Sequence, residues 1–214
     1  MSQVPETIKR QSELILYLAR HGETDFNLRK IFQGRTDNPL NERGLEQART
    51  LRDLLRPVPI SRVYISPLER ARVTASIILE DRDIPQTVES RLVEINFGEW
   101  EGTPEVDVRE RWMEDYMDYR NDLSRFRPLN GESALEARKR AGEWWDEAVE
   151  DVGPDEHILV VAHQSLNAVL GCHVAGIPLT EAWSIFKTKP GEVIKVIPGA
   201  FPRISRLIPD IEEA

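Results

Sequence analysis

Leu14-Ile15-Leu16-Tyr17-Leu18-Ala19 is a nearly unbroken apolar run, and it ends abruptly in Arg20-His21-Gly22-Glu23-Thr24. A strand with one wet face would alternate apolar and polar residues. The lack of alternation marks a strand covered on both faces, as in a parallel sheet. His157 to Ala162 (HILVVA) has the same character and ends in His163-Gln164-Ser165, while the shorter Ser61 to Ile65 (SRVYI) delivers Ser66-Pro67-Leu68-Glu69-Arg70. Helical spacing lies between these runs. Residues Asn41 to Leu55 place Leu45, Ala48, Leu51, Leu54 and Leu55 on one face and stop at Pro57 and Pro59. Pro67 is predicted to open a helix whose Ala71, Ala75, Ile78 and Leu79 form a stripe. Ser133 and Glu136 make a capping box for a helix to about Asp151, halted by Gly153-Pro154, and a further helix runs from about Ser165 to Ala175. Thr87 to Glu89, Val193 to Ile197 and Arg203 to Ile208 complete the strands. Strands alternating with helices predict an α/β fold, a three-layer α/β/α arrangement with a mostly parallel sheet.

The chain has 214 residues, 40% apolar and 30% charged, enough to bury its own core, and it reads as a single domain over 1–214. Residues 1–12 and 210–214 read as loose tails. About residues 98–130 the pattern changes: Trp100, Trp112, Tyr116, Tyr119 and Phe126 are scattered among nine acids between Glu99 and Asp122, which predicts a small helical cap inserted into the domain. The net charge of −9 argues against a surface built for nucleic-acid phosphates or anionic membranes. The imbalance is uneven: residues 1–80 hold 13 Lys/Arg against 10 Asp/Glu, and residues 81–214 hold 15 against 27. An anion pocket would therefore draw its charge mainly from the N-terminal third. Cys172 is the only cysteine, which excludes an internal disulfide and a four-thiolate zinc site. The polar N-terminus and the shortness of the greasiest run, Ala168 to Leu179, point to a cytoplasmic protein. No clustered His/Asp/Glu ligand set suggests a metal or other cofactor.

In open α/β sheets ligands bind beyond the carboxyl ends of the strands. Arg20, His21 and His163 follow two strand ends directly, and Arg70 falls in the first turn of the helix after a third, where free N–H groups already favour an anion. Two arginines supply fixed charge and bidentate donors for a phosphomonoester close to a dianion. A neutral imidazole between them can attack phosphorus, splitting one hard step into two. Like charge disfavours its protonation. A carboxylic acid must then protonate the departing alkoxide.

The residues resemble the histidine phosphatase superfamily, also called phosphoglycerate mutase-like, over roughly Leu14 to Ile197. The blocks are Arg20-His21-Gly22-Glu23-Thr24 with Asn27; Gln33-Gly34 and Asp37-Asn38-Pro39-Leu40; Gly44 with Gln47-Ala48; Ser66-Pro67-Leu68 with Arg70-Ala71 and Thr74-Ala75; Glu94 to Gly98 with Trp100-Glu101-Gly102; Gly131-Glu132-Ser133; and Val161-Ala162-His163. The resemblance implies that His21 is the phosphorylated nucleophile, that Arg20, Arg70 and His163 complete a phosphate pocket, that Glu94 donates the proton, and that Asn27, Gln33 and Gly34 meet the substrate. It implies no metal. Two departures stand out: Gln164 follows the second histidine where glycine is common, and Phe26 stands where tryptophan is common. Gln164 is within reach of a bound substrate.

Within the family, the Gly98-Glu99-Trp100-Glu101-Gly102 ending resembles the phosphatase branch. The mutases carry a basic cluster in the following insertion, whereas here only Arg109, Arg111 and Arg120 stand against nine carboxylates. Hydrolysis of a small phosphorylated metabolite is the leading expectation, with a phosphoglycerate mutase or a silent phospho-ligand scaffold as rivals. Glu99 and Glu101 are rivals to Glu94 as the acid. The aromatic residues of the excursion read as cap core ahead of a substrate platform, and His157 and His173 as structural. Other phosphatase chemistries fail on sequence. Pro178 occupies the arginine position of a C-x₅-R motif, Pro85 breaks the resemblance of Asp81-Arg82-Asp83-Ile84 to an aspartate nucleophile, and neither a phosphate-cradling G-x-x-x-x-G-K-[ST] loop nor a G-x-S-x-G elbow occurs. A homodimer through an edge strand or the aromatic excursion is compatible with this pattern.

Overall fold

The computed structural model describes residues 13–150, 152–153 and 155–207. Six strands, β1 (Ile15–Arg20), β2 (Arg62–Ile65), β3 (Gln86–Val88), β4 (His157–Ala162), β5 (Val193–Ile197) and β6 (Arg203–Leu207), form one sheet in the order β3-β2-β4-β1-β5-β6. The first four in that order are parallel, and β5 and β6 join antiparallel to their neighbours. The sheet is thus mixed, with the mostly parallel centre that the uninterrupted apolar runs imply.

Side chains of the central strands alternate between two cores. Leu16, Leu18, Ile158, Val160 and Ala162 face one layer, containing α6 (Ala134–Val149) and α7 (Gln164–Val174). Ile15, Tyr17, Ala19, Leu159 and Val161 face the other, containing α2 (Glu42–Leu55) and α3 (Glu69–Leu79). Every residue of β1 is buried, so neither face has a use for polar positions. Asn41 caps α2 through its side chain, and Ser133 with Glu136 forms the expected capping box of α6. Gly22 and Gly44 are required by a close approach: a Cβ on Gly22 would lie 2.2 Å from the Gly44 carbonyl oxygen, which lets the start of α2 press against the loop after β1.

Several element ends move by one residue from their expected places, and the start of α3 moves by two. Leu68, not Pro67, is the N-cap of α3, so Pro67 lies in the turn before the helix and Arg70 still falls in its first turn. The 98–130 excursion contains a 3₁₀ turn at Gly98–Trp100 and two helices, α4 (Glu105–Arg111) and α5 (Met113–Asn121). Short helices α1 (Asp25–Leu28) and α8 (Ala182–Phe186) complete the set of eight among the described residues. The excursion's Trp100, Tyr119 and Phe126 belong to the same core as Leu16 and α6, so its aromatic residues serve mainly as packing, as their spacing suggested. The expected tails at 1–12 and 210–214, and the ends of α6 at Asp151 and Pro154 and of β6 at Ile208, lie outside the described residues.

Candidate active site

The register pairs Arg20 on β1 with Ala162 on β4, and Ile65 on β2 with Val161. The three strands therefore stop together, and the residues that follow them come together at one edge. The His21 and His163 rings lie 5.2 Å apart. Arg70, 1% exposed, reaches the same point from α3.

Main-chain groups fix each side chain. The Nδ1–H of His21 donates to the Gly22 carbonyl at 2.6 Å, an acceptor that dictates the tautomer and leaves the lone pair on Nε2, where it accepts from Arg70 Nε. Arg70 Nε lies 3.3 Å from that Nε2, while its Nη1 and Nη2 donate to the carbonyls of Thr36 and Gly34 at 2.8 and 2.7 Å. Burial, then the charges of Arg70 and Arg20, hold the His21 imidazole well below its ordinary pKa. The guanidiniums act in the expected sense, with burial the larger cause. His163 is likewise held neutral, first by burial. Its Nε2 is 2.6 Å from Ser66 Oγ, which itself accepts from Leu68 N at 3.4 Å. Its Nδ1 is a buried atom without a protein partner among the described residues. Arg20 donates through Nη1 to the Thr188 carbonyl at 2.6 Å and to Gln164 Oε1, and its Nε is also buried without a partner. Burial lowers Arg20 to about 10, so it stays charged at neutral pH.

The Glu94 carboxylate occupies the N-terminus of α7. It accepts from Ser165 N at 3.2 Å, Leu166 N at 2.9 Å and Ile95 N at 2.9 Å, an anion at a helix start. Burial nonetheless outweighs these donors and raises its pKa. The two rivals are engaged elsewhere: Glu101 accepts from the backbones of Arg35, Thr36 and Phe97 and braces the loop after Gly34, and Glu99 accepts from Asn130. Neither lines the cleft.

That cleft, about 760 Å³ to its open mouth, is lined by Arg20, His21, Arg70 and Glu94, with Asn27, Gln33, Gly34 and Gln164. His163, whose ring lies 5.2 Å from that of His21, does not line it. Asn27 Oδ1 is committed to the capping box with Thr24, and Gln33 Oε1 accepts from Thr24 Oγ1, which orients the Asn27 and Gln33 amides. Gly34 has φ +53°, and a Cβ there would strike Glu101. His157 and His173 lie apart, bonded to Tyr17 and Asp146.

Sequence reasoning missed the mouth of the cleft, made by Lys30, Glu105, Tyr119 and Arg120 with Ile31, Phe32 and Phe97. Lys30 sits just past α1 at φ +54°, a left-handed position that Gly or Asn usually fills and that costs an ordinary side chain about 1–2 kcal/mol. The sequence gives no sign of it because the four-residue α1 is too short to announce its end. Among the described residues no helix is long and apolar enough to cross a membrane, and no group of three or more His, Cys, Asp or Glu side chains is disposed around a metal position.

Comparison with known proteins agrees with this geometry. The chain is 36% identical to the adenosylcobalamin/alpha-ribazole phosphatase of Salmonella typhimurium over 176 residues, covering 82% of this chain and 86% of that protein. It is 32% identical to a 2,3-bisphosphoglycerate-dependent phosphoglycerate mutase of Methylobacterium over 80% of this chain and 88% of that one. The alpha-ribazole phosphatase crystal structure from Shigella flexneri superposes with a TM-score of 0.78 at 31% identity, covering 90% of this chain and 95% of the other. With the model of the histidine phosphatase superfamily (branch 1) matching residues 16–198, the chain belongs to that superfamily.

Proposed function

We propose that this protein is a metal-independent phosphomonoester hydrolase of the cytoplasm, working on a small phosphorylated metabolite through a phosphohistidine at His21. The observation that carries this reading is the His21 tautomer: its Nδ1–H is spent on the Gly22 carbonyl, and Nε2 faces Arg70 inside the cleft. In the first step the Nε2 lone pair forms a bond to phosphorus while the ester P–O bond breaks. Glu94, whose raised pKa favours the protonated form, gives its proton to the leaving alkoxide. Arg20, which lines the cleft, supplies a donor for the phosphoryl oxygens through its Nε, buried and without a partner among the described residues; Arg70 neutralises them. In the second step Glu94, now a carboxylate, takes a proton from water, whose oxygen attacks phosphorus and releases phosphate and free His21.

Phosphoryl transfer between two positions of one substrate is the second reading, kept by the mutase relative. Labelled phosphomonoester, quenched during turnover in excess EDTA, should leave acid-labile, alkali-stable label on His21, and inorganic phosphate should accumulate. His21→Ala should abolish both. Label on another side chain, or undiminished turnover in His21→Ala, overturns the nucleophile; label that only migrates within a phosphoglycerate overturns hydrolysis in favour of the mutase.

A further inference from the structure

The block Gly131-Glu132-Ser133 takes no part in the steps above. Ser133 caps α6, and Gly131 leaves room for a close backbone approach: a Cβ there would lie 2.5 Å from the Asn96 carbonyl oxygen. That approach delivers Glu132 to the segment that carries Glu94. Glu132 N donates to the Asn96 carbonyl at 2.8 Å, and its carboxylate, 14% exposed, turns back along the same segment. It takes the guanidinium of Arg140 on α6 as a fork, Nε to Oε1 at 2.7 Å and Nη2 to Oε2 at 2.9 Å, and Oε2 also accepts from Arg35 Nη2 at 3.2 Å. Both guanidiniums then converge on a single acceptor. Arg35 Nε and Arg140 Nη2 each donate to the main-chain carbonyl of Glu94 at 3.3 Å, and Arg140 Nη1 donates to the carbonyl of Arg91.

Two cations on one carbonyl oxygen repel each other unless an anion stands beside them. Glu132 is that anion, and its bidentate pairing fixes where the Arg140 fork points. Glu94 is thereby held twice, by its backbone through the two arginines and by its carboxylate through the amides of Ile95, Ser165 and Leu166. A proton donor has to lie within hydrogen-bond reach of the ester oxygen, and a misplacement of about 1 Å can cost 10²-fold. Resting on the reading of Glu94 as the acid, we infer that Glu132 is a positioning residue for proton donation: it locks Arg35 and Arg140 onto the Glu94 carbonyl and so places the carboxyl at the leaving-group oxygen. None of these three side chains lines the cleft, so the clamp reaches the substrate through Glu94. The loop that anchors Arg70 has its own brace, because Glu101 holds the amides of Arg35 and Thr36.

The test uses two esters and kcat/KM, which ends at cleavage of the ester bond. Glycerol 1-phosphate releases an alkoxide that needs a proton; p-nitrophenyl phosphate releases a stable phenolate. Glu132→Gln should lose about 10- to 10²-fold on the first and less than about 3-fold on the second. Arg140→Lys, which keeps the charge but not the fork, should show the same selective loss and carries the comparison should Glu132→Gln fail to fold. Added to Glu94→Gln, the Glu132→Gln substitution should cost glycerol 1-phosphate nothing further, because the clamp then has no proton donor to place. A residue that merely supports the fold would lower both esters alike and would add its loss to that of Glu94→Gln. Parallel losses, additive losses, or undiminished turnover of glycerol 1-phosphate in the clamp variants would each overturn the inference. Equal losses on both esters in Glu94→Gln alone would instead remove the acid on which it rests.

Discussion

The inner and outer halves of the cleft are built on different principles. Inside, Arg20, His21, Arg70, Glu94 and His163 are all less than one-tenth exposed, and backbone groups hold most of them: the carbonyls of Gly22, Gly34, Thr36 and Thr188, and the amides of Ile95, Ser165 and Leu166. At the mouth, Lys30 is exposed, the Arg120 side chain is 43% exposed, and Arg120 meets Glu105 only at 3.7 Å. Groups fixed by main chain keep their geometry whatever side chains surround them; groups held by long side chains over solvent can be exchanged at little cost to the fold. In the function proposed above, the inner half carries the reaction and the outer half is left to select the substrate; the relatives share a family but are named for different phosphoesters.

The sharpest way to break this division is Glu94→Gln. A general acid contributes about 10²–10⁴-fold, so alkyl phosphates should lose that much in kcat, while p-nitrophenyl phosphate, whose leaving group hardly needs a proton, should lose far less. Equal losses on both would take the acid role from Glu94. The pH profile adds a second reading. Glu94 must be protonated to donate and its pKa is raised by burial, so kcat on an alkyl phosphate should hold up from acid through the ordinary carboxylate range and fall as pH rises through the raised value. His21 must be neutral and is held well below its ordinary pKa, so the acid-side fall should come far below 6.5. The alkaline fall should vanish in Glu94→Gln; its survival would assign it to another group.

Next in size is Arg70→Met. Removing one preorganised donor typically costs about 10²–10³-fold, and here it should strike every substrate alike, because Arg70 serves the transferring group and not what is attached to it. The same substitution strips the Gly34 and Thr36 carbonyls of their donor, so KM should rise together with the fall in kcat. A loss that depended on the leaving group's charge would place Arg70 in the wrong half.

How far the sequence reads the molecule follows the same boundary. Both doubly buried strands announce themselves, because a strand wet on neither face has no polar positions, and the residues at their ends inherit a place at the sheet edge from chain order alone. Arg20, His21 and His163 were legible for that reason, and Arg70 because a strand and a helix start bracket it. Glu94 came from resemblance: it follows the 3₁₀ turn at Ser90–Leu92, and no periodicity aims it at the start of α7. Lys30 and Arg120 were not legible. Their segments meet through one bridge, Ile31 to Pro104, and three backbone hydrogen bonds between regions far apart in sequence, and a count of charges along the excursion gave the opposite sign to the arrangement in space. The α3 start lies two residues later than Pro67, where Asp37, from the loop before α2, accepts from Glu69 N at 2.9 Å and caps the helix from outside.

Gln164 lies on the border between the halves, and its removal is the smallest effect. It lines the cleft beside Ser165 and accepts from the buried Arg20, which also donates to the Thr188 carbonyl. In Gln164→Gly, Arg20 keeps its second acceptor and loses one charge-assisted hydrogen bond, worth about 1.5–3 kcal/mol or roughly 10- to 100-fold at most. The substitution falls at the first residue of α7, where glycine costs the helix little of what it costs an interior. If Gln164 acts by positioning Arg20, kcat/KM should fall by the same modest factor for 3-phosphoglycerate, glycerol 1-phosphate and p-nitrophenyl phosphate, leaving their ratios intact. If the ratios move while p-nitrophenyl phosphate is unaffected, its amide nitrogen is reading the leaving group and Gln164 belongs to the outer half. The glycine common at this position in the family would then mark a site whose selectivity is set without it.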